Sequence, residues 1–259
     1  MIRLKSAAEI EGIAAAGAIV ADVLDLAAEL AVPGVTTGDL DERAEELIRS
    51  HPGATPSFKG LYGFPATLCT SINDEVVHGI PSHRRELAAG DIVSVDVGVR
   101  LDGLFADAAL TIGVGPISDE ARDLLDLTRR ALDVGVKNAR EGRRLGDLGA
   151  AIQACVEDAG YSVIRELVGH GVGEAPHEEP QVPNYGVAGR GPRMERGLVL
   201  AIEPMVNQGG RTIRTLEDEW TVVTADGSLS AHFEHTVAVT AAGPRVLTAV
   251  HSRTPAGEG

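Results

Sequence analysis

The sequence predicts an α+β fold in which two similar halves, each opening with a pair of helices, contribute strands to one sheet that the helices cover. Three observations predict it: capped helical periodicity at the start of each half, a seven-residue motif that recurs between the helices, and a strand-turn-strand segment closing the first half.

The elements follow in order. Ser6 and Glu9 in "SAAEIEGIAAAG" have the spacing of a capping box, and apolar positions recur at helical intervals from Ile10 to Leu30, where "VPG" stops them. A second helix is predicted through "DLDERAEELIRS", with Asp39 and Glu42 repeating the capping spacing. After "ISDE" the periodic run "ARDLLDLTRRALDVGVKNA" gives a third helix, and "AAIQACVEDAG" a fourth that stops at Gly160. The linkers "GVTTGDL" from Gly34 and "GRRLGDL" from Gly142 share the pattern G-x-x-x-G-D-L at an offset of 108 residues, which predicts an internal duplication. The same offset carries Asp96 to within one position of Glu203 in "GLVLAIEPMV". The expected organisation is one domain over 1–250, with halves of about 5–115 and 116–250, followed by a loose tail, 251–259.

Composition narrows the function classes. Hydrophobic residues at 44% and charged residues at 24% describe an ordinary globular chain. A formal charge of −15 argues against a phosphate-binding surface, so sequence-specific nucleic acid is not an expected partner. No run approaches a membrane span and the N-terminus lacks a signal-peptide pattern, which predicts a cytosolic protein. Cys69 and Cys155 are the only cysteines, too few for a disulfide framework.

The segment "SVDVGVRLDGLFADAAL" carries the chemistry. Asp102-Gly103 is a favoured two-residue hairpin turn. If the loop holds only those two residues, Asp96 faces Ala109 and Asp107 faces Gly98, so both carboxylates share one face as a diagonal pair. Gly98 and Ala109 leave that face open, while Val93, Val95, Val97 and Val99 fill the other. Two like charges on a half-buried sheet are unfavourable unless a cation or a shared proton lies between them. The alternative is a bulge that turns one aspartate to solvent. Glu203 in "LVLAIEP" and Glu234 in the strand-like "LSAHFEHTVAVT" add two acids in apolar surroundings. His170, flanked by glycines that would let backbone approach a ligand closely, adds an imidazole, with His177 seven residues on. Oxygen-rich sets with one imidazole suit divalent cations. "GHGVG" lacks the spacing of a dinucleotide site.

Five blocks, "SINDEVVHGIPS", "VDVGVRLDGLFADAALT", "GHGVGEAPHEEPQVPNYG", "AIEPMV" and "EWTVVTADGSLSAHFEHTVAVT", resemble in order those of the methionine aminopeptidases, in the short bacterial form of type 1. The resemblance implies the pita-bread fold, two pseudo-symmetric halves forming a curved antiparallel sheet covered by helices. It implies two divalent metal ions (Co, Mn, Fe or Zn) held by Asp96, Asp107, His170, Glu203 and Glu234, with Asp107 and Glu234 bridging both. It further implies removal of an N-terminal methionine before a small second residue by a metal-bridging hydroxide, with Glu203 moving the proton. His78 would lie near the scissile nitrogen and His177 at the substrate carbonyl; a surface-loop histidine is the other reading of His78. Phe58, Leu61, Phe64, Cys69 and Trp220 would line or neighbour the methionine pocket, and Cys69 also reads as a small buried hydrophobe. Relatives often carry aromatic or cysteine residues at the positions of Phe58 and Leu61, and phenylalanine where Pro176 precedes His177, which leaves the pocket's shape open. The expected partners are nascent polypeptide N-termini beginning with Met, met close to the ribosome, and the expected state is a monomer.

Two rivals share the fold. A proline-specific aminopeptidase usually carries an extra N-terminal domain, whereas here the catalytic-type pattern starts near residue 1. A non-catalytic binding protein would lose metal-ligand positions, and all five are present. The 31 residues from Glu203 to Glu234 leave no room for the helical insertion usual in type 2. Because Ile2 is bulky, the resemblance predicts that Met1 stays on the mature protein. Mass spectrometry of cell-made material showing a chain that starts at Ile2 would contradict this.

Overall fold

The computed structural model describes residues 2–249; the expected tail, 251–259, lies outside them. Among them four α-helices form, α1 (Ala7–Leu30), α2 (Thr37–Ser50), α3 (Asp119–Asn138) and α4 (Leu145–Glu157). The first starts on the predicted box: Ser6 Oγ accepts the Glu9 N–H at 3.3 Å and Glu9 Oε2 accepts the Ser6 N–H at 2.7 Å. The other predicted box is displaced. Thr36 and Asp39, not Asp39 and Glu42, close it, with Asp39 Oδ2 accepting the Thr36 N–H at 3.0 Å and Thr36 Oγ1 the Asp39 N–H at 3.1 Å. Helix α4 likewise begins before the predicted "AAIQ", and Asp147 Oδ2 accepts the Arg144 N–H at 2.8 Å.

The recurring motif is therefore a helix start and not a linker. Its inner glycine reads as a breaker in sequence, but packing requires it. A Cβ on Gly38 would lie 2.6 Å from His83 N, and one on Gly146 would lie 2.4 Å from Val187 O.

The duplication repeats in the backbone ladder. The Gly34 N–H donates to Leu87 O and the Leu87 N–H to Val35 O, both at 2.9 Å; Gly142 to Met194 O and Met194 to Arg143 O follow at 2.9 and 2.7 Å. The offset is 108 at the glycine but 107 at its partner, Leu87 to Met194. One residue is dropped in between, so Asp96 corresponds to Glu203.

Every strand pair is antiparallel, but the strands divide among four sheets instead of the single sheet expected. In the first half, Ile92–Leu101 pairs with Leu104–Gly113 in the predicted register, Asp96 opposite Ala109 and Gly98 opposite Asp107. Asp102 (φ 49°) and Gly103 (φ 91°) both take the left-handed conformation that a type I′ turn requires. In the second half the order is Gly243–Val246, His235–Thr240, Val199–Ile202, Gly169–Gly171, Glu178–Val182. Val93, Val95, Val97 and Val99 bury one hairpin face against Ile13, Val20 and Leu24 of α1. Leu124 of α3 and Leu148 and Ile152 of α4 cover Leu200, Ile202 and Val237. Each such side chain contributes about 1.5–3 kcal/mol on burial.

The sheets separate at two breaks. "LSAHFEHTVAVT" is two strands, Ser230–His232 and His235–Thr240, in different sheets, and "LVLAIEPMV" splits into Val199–Ile202 and Met205–Asn207. Glu234 and Glu203 therefore sit between strands, not within them. The flanking registers, Ile202 with His235 and Met205 with His232, set Glu203 opposite Glu234. Pro204 has no N–H to give the ladder, which favours a break there.

Candidate metal centre

Backbone and side-chain hydrogen bonds stitch the two halves together. The Glu234 N–H donates to Ala109 O at 2.8 Å, and the Asp107 N–H to Thr236 Oγ1 at 3.1 Å. Thr236 Oγ1 also lies 2.8 Å from Asp107 O and 3.0 Å from its Oδ1. Thr111 Oγ1 donates to His232 O and accepts the His232 N–H, both at 2.9 Å. These bonds bring Asp107 beside Glu234. Across the other ladder, His170 pairs with Ala201, two residues before Glu203.

The result is a cluster of acids against the His170 imidazole. One ligand atom from each of Asp107, His170 and Glu234 lies within 4.8 Å of the other two. His170 Nε2 is 3.5 Å from Asp107 Oδ2 and 3.7 Å from Glu203 Oε1. Its Nδ1 lies 2.9 Å from Gly171 O, a carbonyl that can only accept, so Nδ1 donates there and Nε2 is the nitrogen turned toward the carboxylate oxygens. A ring fixed by a carbonyl on its far nitrogen is the usual setting of a metal-bound histidine. Asp96 Oδ1 is buried with no hydrogen-bond partner. The donor set thus fits a divalent metal ion.

Electrostatics agree. Burial raises the Asp96 carboxyl to about 7, with His232 opposing the shift and Glu203 and Asp107 adding to it. Glu203 is raised to about 8 by burial, opposed by His170 and reinforced by Asp107. Burial, then Asp107, Glu203 and Asp96, push Glu234 well above the usual range. Crowded acids of this kind repel until positive charge joins them.

The candidate ligand, catalytic and methionine-pocket residues all line one cavity of about 580 Å³, whereas Pro176 does not. Asp96, Asp107, His170, Glu203 and Glu234 are neighbours in the cavity wall. Phe58, Leu61, Phe64, Cys69 and Trp220 supply apolar wall, Phe64 and Trp220 meeting edge to face at 5.1 Å. Burial pushes the Cys69 thiol well up, with Asp96 adding to the shift, which suits a packing role. His78 is half-buried in the cavity wall and not out on a surface loop, at φ 60°, an uncommon conformation for a side-chain-bearing residue. Burial, then His232 and His177, lower its pKa to about 4, leaving a neutral ring. The His177 ring meets His170 edge to face at 4.5 Å.

Packing adds to one local expectation and corrects another. The glycines around His170 are required by backbone packing, which the sequence did not signal: a Cβ on Gly169 would lie 2.3 Å from Ala201 O, and one on Gly171 2.4 Å from Glu179 O. The space beside Gly98 is not open but filled by Ser57 Oγ and Phe58, which a Cβ would meet at 2.1 and 2.7 Å.

Two polar aromatic side chains among the lining residues that escaped the sequence reading are His232 and Tyr62. His232, 1% exposed, holds Nε2 3.5 Å from Glu203 Oε2 without a hydrogen-bond partner. Alternation from Glu234 places it on the same face and could have found it. Tyr62, strongly exposed at φ 51°, stacks parallel to His177 at 6.2 Å, and no sequence periodicity signals it.

Residues 11–241 match the model of metallopeptidase family M24. The methionine aminopeptidase of Clostridium perfringens is 53% identical over 250 residues, 96% of this chain and 100% of the relative. The chain belongs to the methionine aminopeptidases of metallopeptidase family M24. Within that family, the crystal structure of the Thermotoga maritima methionine aminopeptidase superposes with a TM-score of 0.94 at 45% identity, covering 96% of this chain and 99% of that one. Prolidase from Pyrococcus furiosus shares the fold alone, at TM-score 0.78 and 22% identity over 95% of this chain and 65% of its own. Among the described residues, no helix is long and apolar enough to cross a membrane.

Proposed function

We propose that this chain removes the N-terminal methionine from nascent proteins and peptides with a small second residue, acting as a cytosolic monomer whose catalytic unit spans residues 1–250. The observation that carries the reading is the convergence of four acids on the Nε2 side of His170 in the wall of a largely apolar cavity. Asp96, Asp107, His170, Glu203 and Glu234 would hold two divalent ions. When bound, such ions polarise the scissile carbonyl and lower the pKa of the attacking water.

The chain's own groups do the rest. Glu203 takes the proton of that water on a carboxylate oxygen and passes it to the leaving amine. His177 donates to the carbonyl oxygen as it gains charge, and the neutral His78 lies toward the amide nitrogen. Phe58, Leu61, Phe64, Cys69 and Trp220 give the thioether side chain soft apolar contacts.

Incubation with Met-Ala-Ser and Gly-Pro, with chelator and then with added Co²⁺ or Mn²⁺, tests this. Methionine release that stops with chelator and returns with metal is expected. Activity indifferent to chelator, or no methionine release after metal addition, overturns the proposal; preference for Gly-Pro would establish the proline-specific rival.

A further inference from the structure

The loop carrying His177 is clasped by a lysine from the far end of the chain. Lys5, its side chain 1% exposed, sets Nζ 2.5 Å from Glu178 Oε2. The second oxygen of that carboxylate, Oε1, accepts the N–H groups of Glu174 at 2.7 Å and Ala175 at 3.1 Å. Glu178 thereby closes residues 174–178 into a compact loop, with His177 beside the clasp. Gly173 makes room for the lysine stem: a Cβ there would lie 2.1 Å from Lys5 Cε and 2.7 Å from Nζ. Both ends of the clasp are anchored to the strands of the acid cluster. The Lys5 N–H donates to Gly197 O at 2.7 Å, just before Val199–Ile202, and Gly173 O accepts the Phe105 N–H at 2.7 Å, two residues before Asp107.

A buried ion pair rarely adds net stability over apolar packing, so its presence here asks for another reason. We propose that Lys5 is a positioning residue for the reaction, acting through Glu178 and the Gly173–Glu178 loop to fix the His177 ring against His170. The inference rests on the role given to His177 above. A small displacement of that ring moves a donor off the oxygen where charge develops, which affects turnover more than binding.

Lys5→Met keeps the stem and removes the charge. The double variant Lys5→Met/Glu178→Gln removes both charges and keeps an acceptor for the loop N–H groups, so it serves where the single variant does not fold. On metal-reconstituted protein, either variant should lower kcat about 10–100-fold with KM changed less than about 3-fold. The His177 ring signals in ¹⁵N NMR should shift or broaden, and in a His177→Ala background Lys5→Met should lower kcat no further. An unchanged kcat, or losses that multiply with His177→Ala, overturns the proposal. If His177→Ala leaves kcat untouched while Lys5→Met still moves the His177 signals, the role of His177 fails and the clasp stands.

Discussion

Glu234→Gln should give a protein that no longer cleaves peptides yet, stripped of metal, unfolds at a higher temperature than the parent. Glu234 is 3% exposed and faces Asp107, Glu203 and Asp96. Without a cation among them, each carboxylate in this group is desolvated and repelled by the others, so the folded state carries a cost that the unfolded chain does not. The amide keeps the volume and cannot ionise, so the cost of holding this group away from its unfolded, ionised form disappears. Neutralising such a site commonly adds about 0.5–2 kcal/mol of stability. Turnover should fall about 10³-fold, because charge stabilisation by a bound ion is worth several kcal/mol of barrier. Thermal unfolding in chelator and isothermal titration with Mn²⁺ check both halves. A melting temperature equal to or below the parent's, or unaltered metal affinity, contradicts the argument.

The second large effect comes from a residue with no side chain. Gly171→Ala should destabilise the protein by about 1–3 kcal/mol, the usual cost of overpacking, and weaken metal binding by displacing His170. The added Cβ would meet Glu179 O at 2.4 Å and Glu179 C at 2.9 Å, both backbone atoms that cannot swing aside. Gly12→Ala in α1 is the comparison. Its Cβ meets only the end of the Leu104 side chain, at 2.4 Å to Cδ1, which can rotate, and alanine favours the helix. Chemical unfolding of the two variants should separate them clearly. Equal stabilities would mean that the strand pair around Gly171 yields more easily than its geometry suggests.

Much of the site was legible because its signals are local. Asp102-Gly103 fixes a two-residue turn, the turn fixes the register, and alternation then places Asp96 and Asp107 on one face without any knowledge of the rest of the chain. Helix starts were less legible. Asp39 and Asp147 cap through Thr36 and Arg144, but Gly38 and Gly146 look like breakers until the loops packed on them are known.

By itself the sequence determined the hairpin, the capped helices, the duplicated halves and the set of acids and imidazoles, since turn chemistry and side-chain period act over a few residues. Only the tertiary structure decided that Glu203 and Glu234 face each other across paired strand breaks, that Thr236 ties Asp107 to a strand 129 residues away, and that His232 and Tyr62 border the cavity. Those contacts join segments remote in the chain, and which ladder continues and which breaks depends on what each strand meets once the two halves pack together.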